Sequence, residues 1–225
     1  MRVPCPYPWL MDVIAKGWGY VFSTVIALLP IVNPLSTVGV LLAITAGLSE
    51  RERIEQTRRA CIYMALILIS FLIAGGLIMR FFGISIPGLR IAGGMIVSYI
   101  GFRMLFPEER MITSQERREA IAKDDVSFTP LAMPSLSGPG SIAVVIGLSS
   151  TLQEGDVLIG YVFMAIGITI TALISYLVLR ASTRLHALLG TTGINAISRI
   201  MGFIMVCIGV QFVINGVLEI VDDLV

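Results

Sequence analysis

Charged residues in this chain gather in short segments, and between them lie stretches with no Asp, Glu, Lys or Arg. These runs are Gly17 to Ser49, Ala60 to Met79, Val126 to Gln153, Val157 to Leu179 and Ile200 to Leu218; a further apolar stretch, Phe81 to Phe106, is interrupted by Arg90 and Arg103. A hydrocarbon core about 30 Å thick is crossed by roughly 20 helical residues rising about 1.5 Å each. In chain order the second, fifth and sixth elements hold 20, 23 and 19 residues, one crossing apiece, whereas the first holds 33 and the fourth 28. Those two are too long for one straight span.

The same two runs carry the helix breakers. The first contains "PIVNP" (Pro30 to Pro34) and the fourth "PSLSGPG" (Pro134 to Gly140). Proline inside a helix removes a backbone donor and clashes with the carbonyl four residues back. The pattern therefore predicts that the first and fourth helices are broken.

The two halves also resemble each other. Pro30 and Pro34 correspond to Pro134 and Pro139 at offsets of 104 and 105, and "RIAGGMIVSYIGFR" (Arg90 to Arg103) to "RIMGFIMVCIGVQ" (Arg199 to Gln211) at 108 to 109. Repeat one spans 17–106 and repeat two 128–220, preceded by an N-terminal segment, 1–16, and joined by a charged cytoplasmic loop, 107–127. Three crossings per half is an odd number, so the second half enters the membrane from the opposite side, the inverted repeat of many secondary transporters. The predicted fold is an all-α polytopic membrane protein, six transmembrane elements in two three-element inverted repeats.

Composition agrees: 56% of residues are hydrophobic, 14% charged, and the mean hydropathy is +0.90. Soluble domains run near 25% charged, so the lipid bilayer is the expected surrounding. A net charge of +1 gives no reason to expect nucleic acid as a partner. Cys5, Cys61 and Cys207 are far apart and read as small apolar side chains. With six crossings, Lys and Arg divide 12 to 4 between the two sides, which places both termini in the periplasm. If the long runs are instead re-entrant hairpins, the division is 11 to 5 and both termini are cytoplasmic.

Backbone inside a bilayer leaves the helix only where protein or a wet cavity satisfies its polar groups. Around the breaks stand Asn33, Pro34, Ser36, Thr37, Pro134, Ser135, Ser137, Gly138, Pro139, Gly140 and Ser141. They supply an amide, five hydroxyls, glycines that admit close approach, and the amide-rich starts of two half-helices that favour a carboxylate. The set suits a small polar solute such as an amino acid; the competing explanation is helix packing alone.

Arg90 and Arg199 occupy equivalent positions at the heads of the third and sixth elements. Each is either an interfacial anchor or a contact for a substrate carboxylate or gate. Arg103 reads as an anchor, and its counterpart Gln211 is expected to face the interior or a neighbour. All fifteen acidic residues lie in loops or at helix ends, and His186, the lone histidine, falls in the loop after the fifth element. A proton relay is thus not expected; Na⁺ held by carbonyls and hydroxyls at the breaks, or downhill export, is. No other cofactor and no metal site is expected.

Gly94 and Gly101, and Gly202, Gly209 and Gly216, recur every seven residues and predict a groove for a closely packed neighbouring helix. The charged stretch Ser49 to Ala60 mixes signs at helical spacing, with Glu50 and Glu52 placed as at a helix start. Sequences of the HExxH, GxSxG or P-loop kind are missing, so no enzymatic activity is expected.

The segments "LLPIVNPLSTV", "ISIPGLRIAGGMIVSYIGFRMLFP", "FTPLAMPSLSGPGSIA" and "ISRIMGFIMVCIGVQFVINGVLEI" resemble the MarC family of bacterial inner-membrane proteins over about Met11 to Ile220. That family is grouped with small neutral amino acid transporters. The resemblance implies a six-helix inner-membrane protein with a transport role, and it singles out Asn33, Pro34, Pro134, Gly138, Pro139 and Gly140 as the motif positions. "MRVPCPYPWL" lacks the order of a signal peptide, and translation is expected to start at Met11. Two function classes stand: a transporter or exporter of small neutral solutes, and a non-transport protein that organises lipid or serves as a partner subunit. Nothing in the sequence fixes an oligomeric state.

Overall fold

The computed structural model describes residues 8–106, 125–150, 152 and 157–222, the side chains of 8–15 and 191 aside. The first seven residues, most of the 107–127 loop and residues 153–156 lie outside the described residues. Regular structure among the described residues is all helical: α1 (Pro8–Val32), α2 (Pro34–Ile44), α3 (Glu50–Phe82), α4 (Ile86–Leu105), α5 (Ser127–Leu136), α6 (Pro139–Ser149), α7 (Val157–Arg180) and α8 (Ser182–Asp222). Three helices are long and apolar enough to cross a membrane: α3, α7 and the Thr192–Asp222 part of α8. The pairs α1/α2 and α5/α6, bent by 42° and 59°, raise the number to as many as five. α4, which carries Arg90 and Arg103, is not among them.

Local chemistry sets the helix ends. Ser49 caps α3 in a capping box with Glu52, and Gly83 ends it in the left-handed conformation at φ 64°. Because the charged stretch after Ser49 continues without a break into the apolar run, α3 holds 33 residues rather than the 20 of its uncharged part. Glu55 pairs with Arg58 and Arg59 along that stretch, and Arg59 reaches Asp125 at 3.4 Å. Ser85 caps α4 through the Gly88 amide at 3.2 Å.

The expected loop around His186 is helical instead. α7 gives way to α8 with hydrogen bonds carried across the junction, Ala181 N–H to Leu177 O at 3.1 Å and Leu185 N–H to Ala181 O at 2.9 Å. α8 kinks at Gly190, whose φ of 62° suits glycine. Leu185, Leu189, Ile194 and Ile197 of its leading part border Leu35 and Val38 of α2, which explains why this segment folds.

Lipid supplies little hydrophobic drive for helix association, so close packing decides the arrangement. α4 and α8 form the most intimate pair and run antiparallel. A Cβ on Gly94 would lie 2.5 Å from Gly209 O, and one on Gly101 2.6 Å from Gly202 O; the reverse approaches are 2.5 and 2.8 Å. The glycine periodicity thus marks a backbone-to-backbone seam. Elsewhere α1 lies on α7 and α5 on α3, α2 on α8 and α6 on α4, and α3 on α7. Leu28, Leu41, Met64, Leu68, Leu131, Leu136, Met164 and Ile168 fill the centre. Phe22, Ile73 and Leu77 face outward at 62%, 69% and 73% exposure, an apolar exterior suited to acyl chains.

Candidate functional site

The first break is one residue wide. α1 runs through Pro30 to Val32, and Asn33 then adopts φ 42°, ψ 65°, a left-handed conformation that Asn tolerates better than other side chains. Its Oδ1 accepts from the Ser36 N–H at 3.3 Å and caps α2, with Pro34 at the first helical position where no donor is missed. Its carbonyl accepts from Ser36 Oγ at 3.0 Å, Thr37 Oγ1 at 3.3 Å and the Thr37 N–H at 3.4 Å. Its Nδ2 points to Met104 Sδ at 3.5 Å. This buried elbow satisfies nearly all of its polar groups from within.

The second break is wider and built without side-chain capping. α5 is interrupted twice, at Thr129 and Met133, each of which precedes a proline and takes extended φ/ψ. Ser137 Oγ donates to Ala132 O and Ser141 Oγ to Gly138 O, both at 2.8 Å. Gly138 opens α6 in extended conformation, and no side chain caps the first turn. Pro139 is exposed, Pro134 is exposed, and the hydroxyl of half-buried Ser135 makes no hydrogen bond among the described residues. Asp125 anchors the start of α5 by accepting from the Ser127 N–H at 2.9 Å and Ser127 Oγ at 2.5 Å. The Ser127 hydroxyl and amide, assisted by Arg59, hold the Asp125 carboxyl below its ordinary range.

The breaks are neighbours. A Cβ on Gly140 would stand 3.5 Å from Ile31 Cγ2 and 2.8 Å from Val97 Cγ2. One on Gly138 would meet its own chain at Pro134 O, 2.9 Å away. The glycines therefore serve close protein packing here, and the space beside Gly140 is filled. Each side of the junction borders a different cleft. Asn33, Pro34 and Leu29 line one of about 220 Å³, closed by Ile174 and Val178 of α7 and Met201 of α8. The other, about 230 Å³, lies between α4, α6 and α8 and is lined by Arg90, Gly93, Ala143, Gly147, Phe212 and Asn215.

Arg90 is half-buried and its Nη1 donates to Glu219 Oε2. Arg199, its repeat counterpart, is exposed and lines neither cleft. Gln211 lies exposed on α8 rather than turned inward, and its Nε2 donates to Asn215 Oδ1 at 2.8 Å. Arg103 is exposed with its guanidinium 5.8 Å from the centre of the Tyr99 ring, as an anchor would be. Glu219 and Asn215 were not anticipated. The signal was present: Gln211, Asn215 and Glu219 are spaced by four, a polar stripe on one face of an otherwise apolar helix. As for ions, no group of His, Cys, Asp or Glu among the described residues could hold a metal. Carbonyl, amide and hydroxyl oxygens are the Na⁺ ligands the breaks offer, and of these Asn33 O already accepts three donors.

Apolar helices with an acyl-facing exterior define an integral membrane protein. Residues 18–221 match the profile of the MarC family integral membrane proteins, and the chain belongs to that family. It is 45% identical over 205 residues to the inner membrane protein MarC of Escherichia coli O1:K1, covering 87% of this chain and 93% of that protein. The MarC proteins of Escherichia coli K12 and Shigella flexneri are 44% identical over the same lengths. No solved structure matches. The protein is a multi-pass component of the inner membrane.

Proposed function

We propose that this protein is a secondary transporter or exporter of small neutral solutes such as amino acids, with substrate bound where the two helix breaks meet. The observation that carries the reading is the meeting itself: two bent pairs, each ending in an 11-residue half-helix, abut at Ile31 and Gly140. Broken helices opposed at the join of two similar halves are the usual setting of a transporter site. Further support comes from the packing, which maps onto itself when the halves are exchanged. Gly94 and Gly101 lie 108 residues before Gly202 and Gly209, and each touches the other's counterpart across the antiparallel seam. Six crossings in two inverted repeats, with both termini periplasmic, is the topology this pairing favours.

In this reading the uncapped start of α6 receives the substrate carboxylate, since its first-turn amides and helix dipole favour negative charge. Asn33, Ser36 and Thr37 bound the opposite side. The Arg90–Glu219 pair closes the α4/α6/α8 cleft, and a substrate carboxylate would compete with Glu219 for Arg90. Filling of the space beside Gly140 makes the described arrangement a closed one, and opening requires the halves to rock about the glycine seam. Coupling to Na⁺ or downhill movement both remain within this scheme.

One observation favours the non-transport reading, a lipid-organising protein or partner subunit. Hydroxyls at Ser36, Thr37, Ser137 and Ser141 are all spent on their own backbone. The deciding experiment is uptake and efflux of labelled alanine, serine and threonine by purified protein in liposomes, with Asn33→Ala as control. Substrate-selective flux abolished by Asn33→Ala supports transport; flux equal to empty liposomes for all three, in both directions, with and without a Na⁺ gradient, favours the second reading.

A further inference from the structure

At the C-terminal end of α7, α3 and α7 enclose a furrow that the transport reading does not use. Its outer part is a cleft of about 360 Å³ lined by Glu50, Ile54, Leu177, Arg180, Thr183 and Arg184. Further along the same two helices lies a cleft of about 240 Å³ walled by Cys61, Ile62, Ala65, Ala172 and Leu173, with Arg58 at its rim. Ile54, Arg58, Cys61 and Ala65 follow one another at spacings of three and four on α3, as do Leu173, Leu177 and Arg180 on α7, so both clefts lie on one face of the pair. The furrow is charged at one end and hydrocarbon at the other.

The side chains of Arg180 and Arg184 make no hydrogen bond or ion pair among the described residues. Two buried polar atoms at the same junction also have no partner, Arg53 Nε and Ser182 Oγ, and Ser182 is only 1% exposed. Arg53 is held there by its Nη1 donating to Thr183 Oγ1 at 2.9 Å. Three arginines thus converge where α8 begins, with a single carboxylate, Glu50, on the facing wall. Guanidinium groups match phosphate oxygens in charge and geometry. A free phosphate would have no use for the apolar continuation, whereas an acyl chain would.

We infer that the α3/α7 furrow is a glycerophospholipid site: the phosphate lies between Arg180 and Arg184, an acyl chain runs past Ile62 and Leu173, and Glu50 accepts a hydrogen bond from the headgroup. The last contact sets selectivity. Phosphatidylethanolamine and phosphatidylglycerol carry headgroup donors; phosphatidylcholine carries none.

The test is native mass spectrometry of the full-length protein released from vesicles of equal parts phosphatidylglycerol, phosphatidylethanolamine and phosphatidylcholine. One retained lipid is expected, with the first two favoured over phosphatidylcholine. The R180Q/R184Q variant should lower retention by roughly twenty-fivefold, since each arginine near a phosphate surface contributes on the order of a fivefold change. R51Q, an exposed arginine outside the cleft, should leave retention unchanged. E50Q should erase the discrimination against phosphatidylcholine, and A65F should weaken dioleoyl lipids but not dihexanoyl ones; both keep the proposal testable if the double variant loses its helical circular dichroism. Equal retention of all three lipids, retention unchanged in R180Q/R184Q, or displacement of the lipid by millimolar inorganic phosphate would overturn it.

Discussion

The two helix breaks occupy equivalent places in the two halves yet are built from different chemistry. At Asn33 one left-handed residue does everything: it turns the chain by 42°, caps the following helix with its own side chain and offers its carbonyl to two hydroxyls and an amide. At Ser137 and Gly138 the chain turns by 59° through two residues, after a stretch interrupted at Thr129 and Met133, and leaves the next helix without a side-chain cap. One elbow is self-contained and therefore stiff. The other depends on glycines pressed against neighbouring protein and leaves its helix start without a side-chain cap. The asymmetry leaves the first break braced by its own side chain and the second braced by its neighbours.

Reciprocal exchange is the sharpest way to break that comparison. Gly138→Asn should cost about 2–3 kcal/mol, because the new Cβ meets the Pro134 carbonyl, a backbone atom that cannot rotate away. Asn33→Ala should cost about 1–2 kcal/mol by removing the cap and forcing alanine to positive φ, whereas Asn33→Gly should cost only a few tenths. Thermal unfolding midpoints in detergent rank the three; equal losses for Asn33→Ala and Asn33→Gly would contradict the left-handed elbow. Gly140→Ala should cost about 1 kcal/mol, since its obstacle is a Val97 methyl that can yield. Cysteine at half-buried Ser36 should react with small aqueous thiol reagents faster than cysteine at fully buried Ser137, with the gap narrowing when substrate is added.

The smallest effect concerns Asp125 at the start of the second break. Its carboxyl is held below the ordinary range in the folded protein, so the stabilisation is complete above the ordinary carboxylate value and fades as pH falls through the depressed one. Asp125→Asn should therefore flatten the acid limb of a stability-against-pH curve and leave the neutral midpoint only slightly lower.

Much of the architecture was legible because a bilayer permits few solutions. Uncharged runs located up to five membrane-crossing segments, prolines located both breaks, and the seven-residue glycine spacing marked helices built for a close neighbour without naming that neighbour. The loop assigned around His186 was helical because its apolar residues, Leu185, Leu189, Ile194 and Ile197, cover α2, a tertiary contact that charge counting does not register. Arg90 was singled out, but Glu219 was set aside as a helix-end carboxylate. Its pairing depends on α4 and α8 running antiparallel in contact, which no local pattern reveals. The glycines of the second break were expected to admit a ligand; Val97, Ile31 and the chain's own carbonyl occupy that space, and steric filling by distant residues leaves no mark on a motif.

At 33 residues α3 is a rod about 50 Å long set in a hydrocarbon slab about 30 Å thick. Set upright it overreaches the slab by about 20 Å, which would carry its capped, ion-paired end roughly two to three helical turns beyond the hydrocarbon. Any tug on that projecting handle is felt deep inside, because the same unbroken rod touches Ile146 of α6 at Gly75.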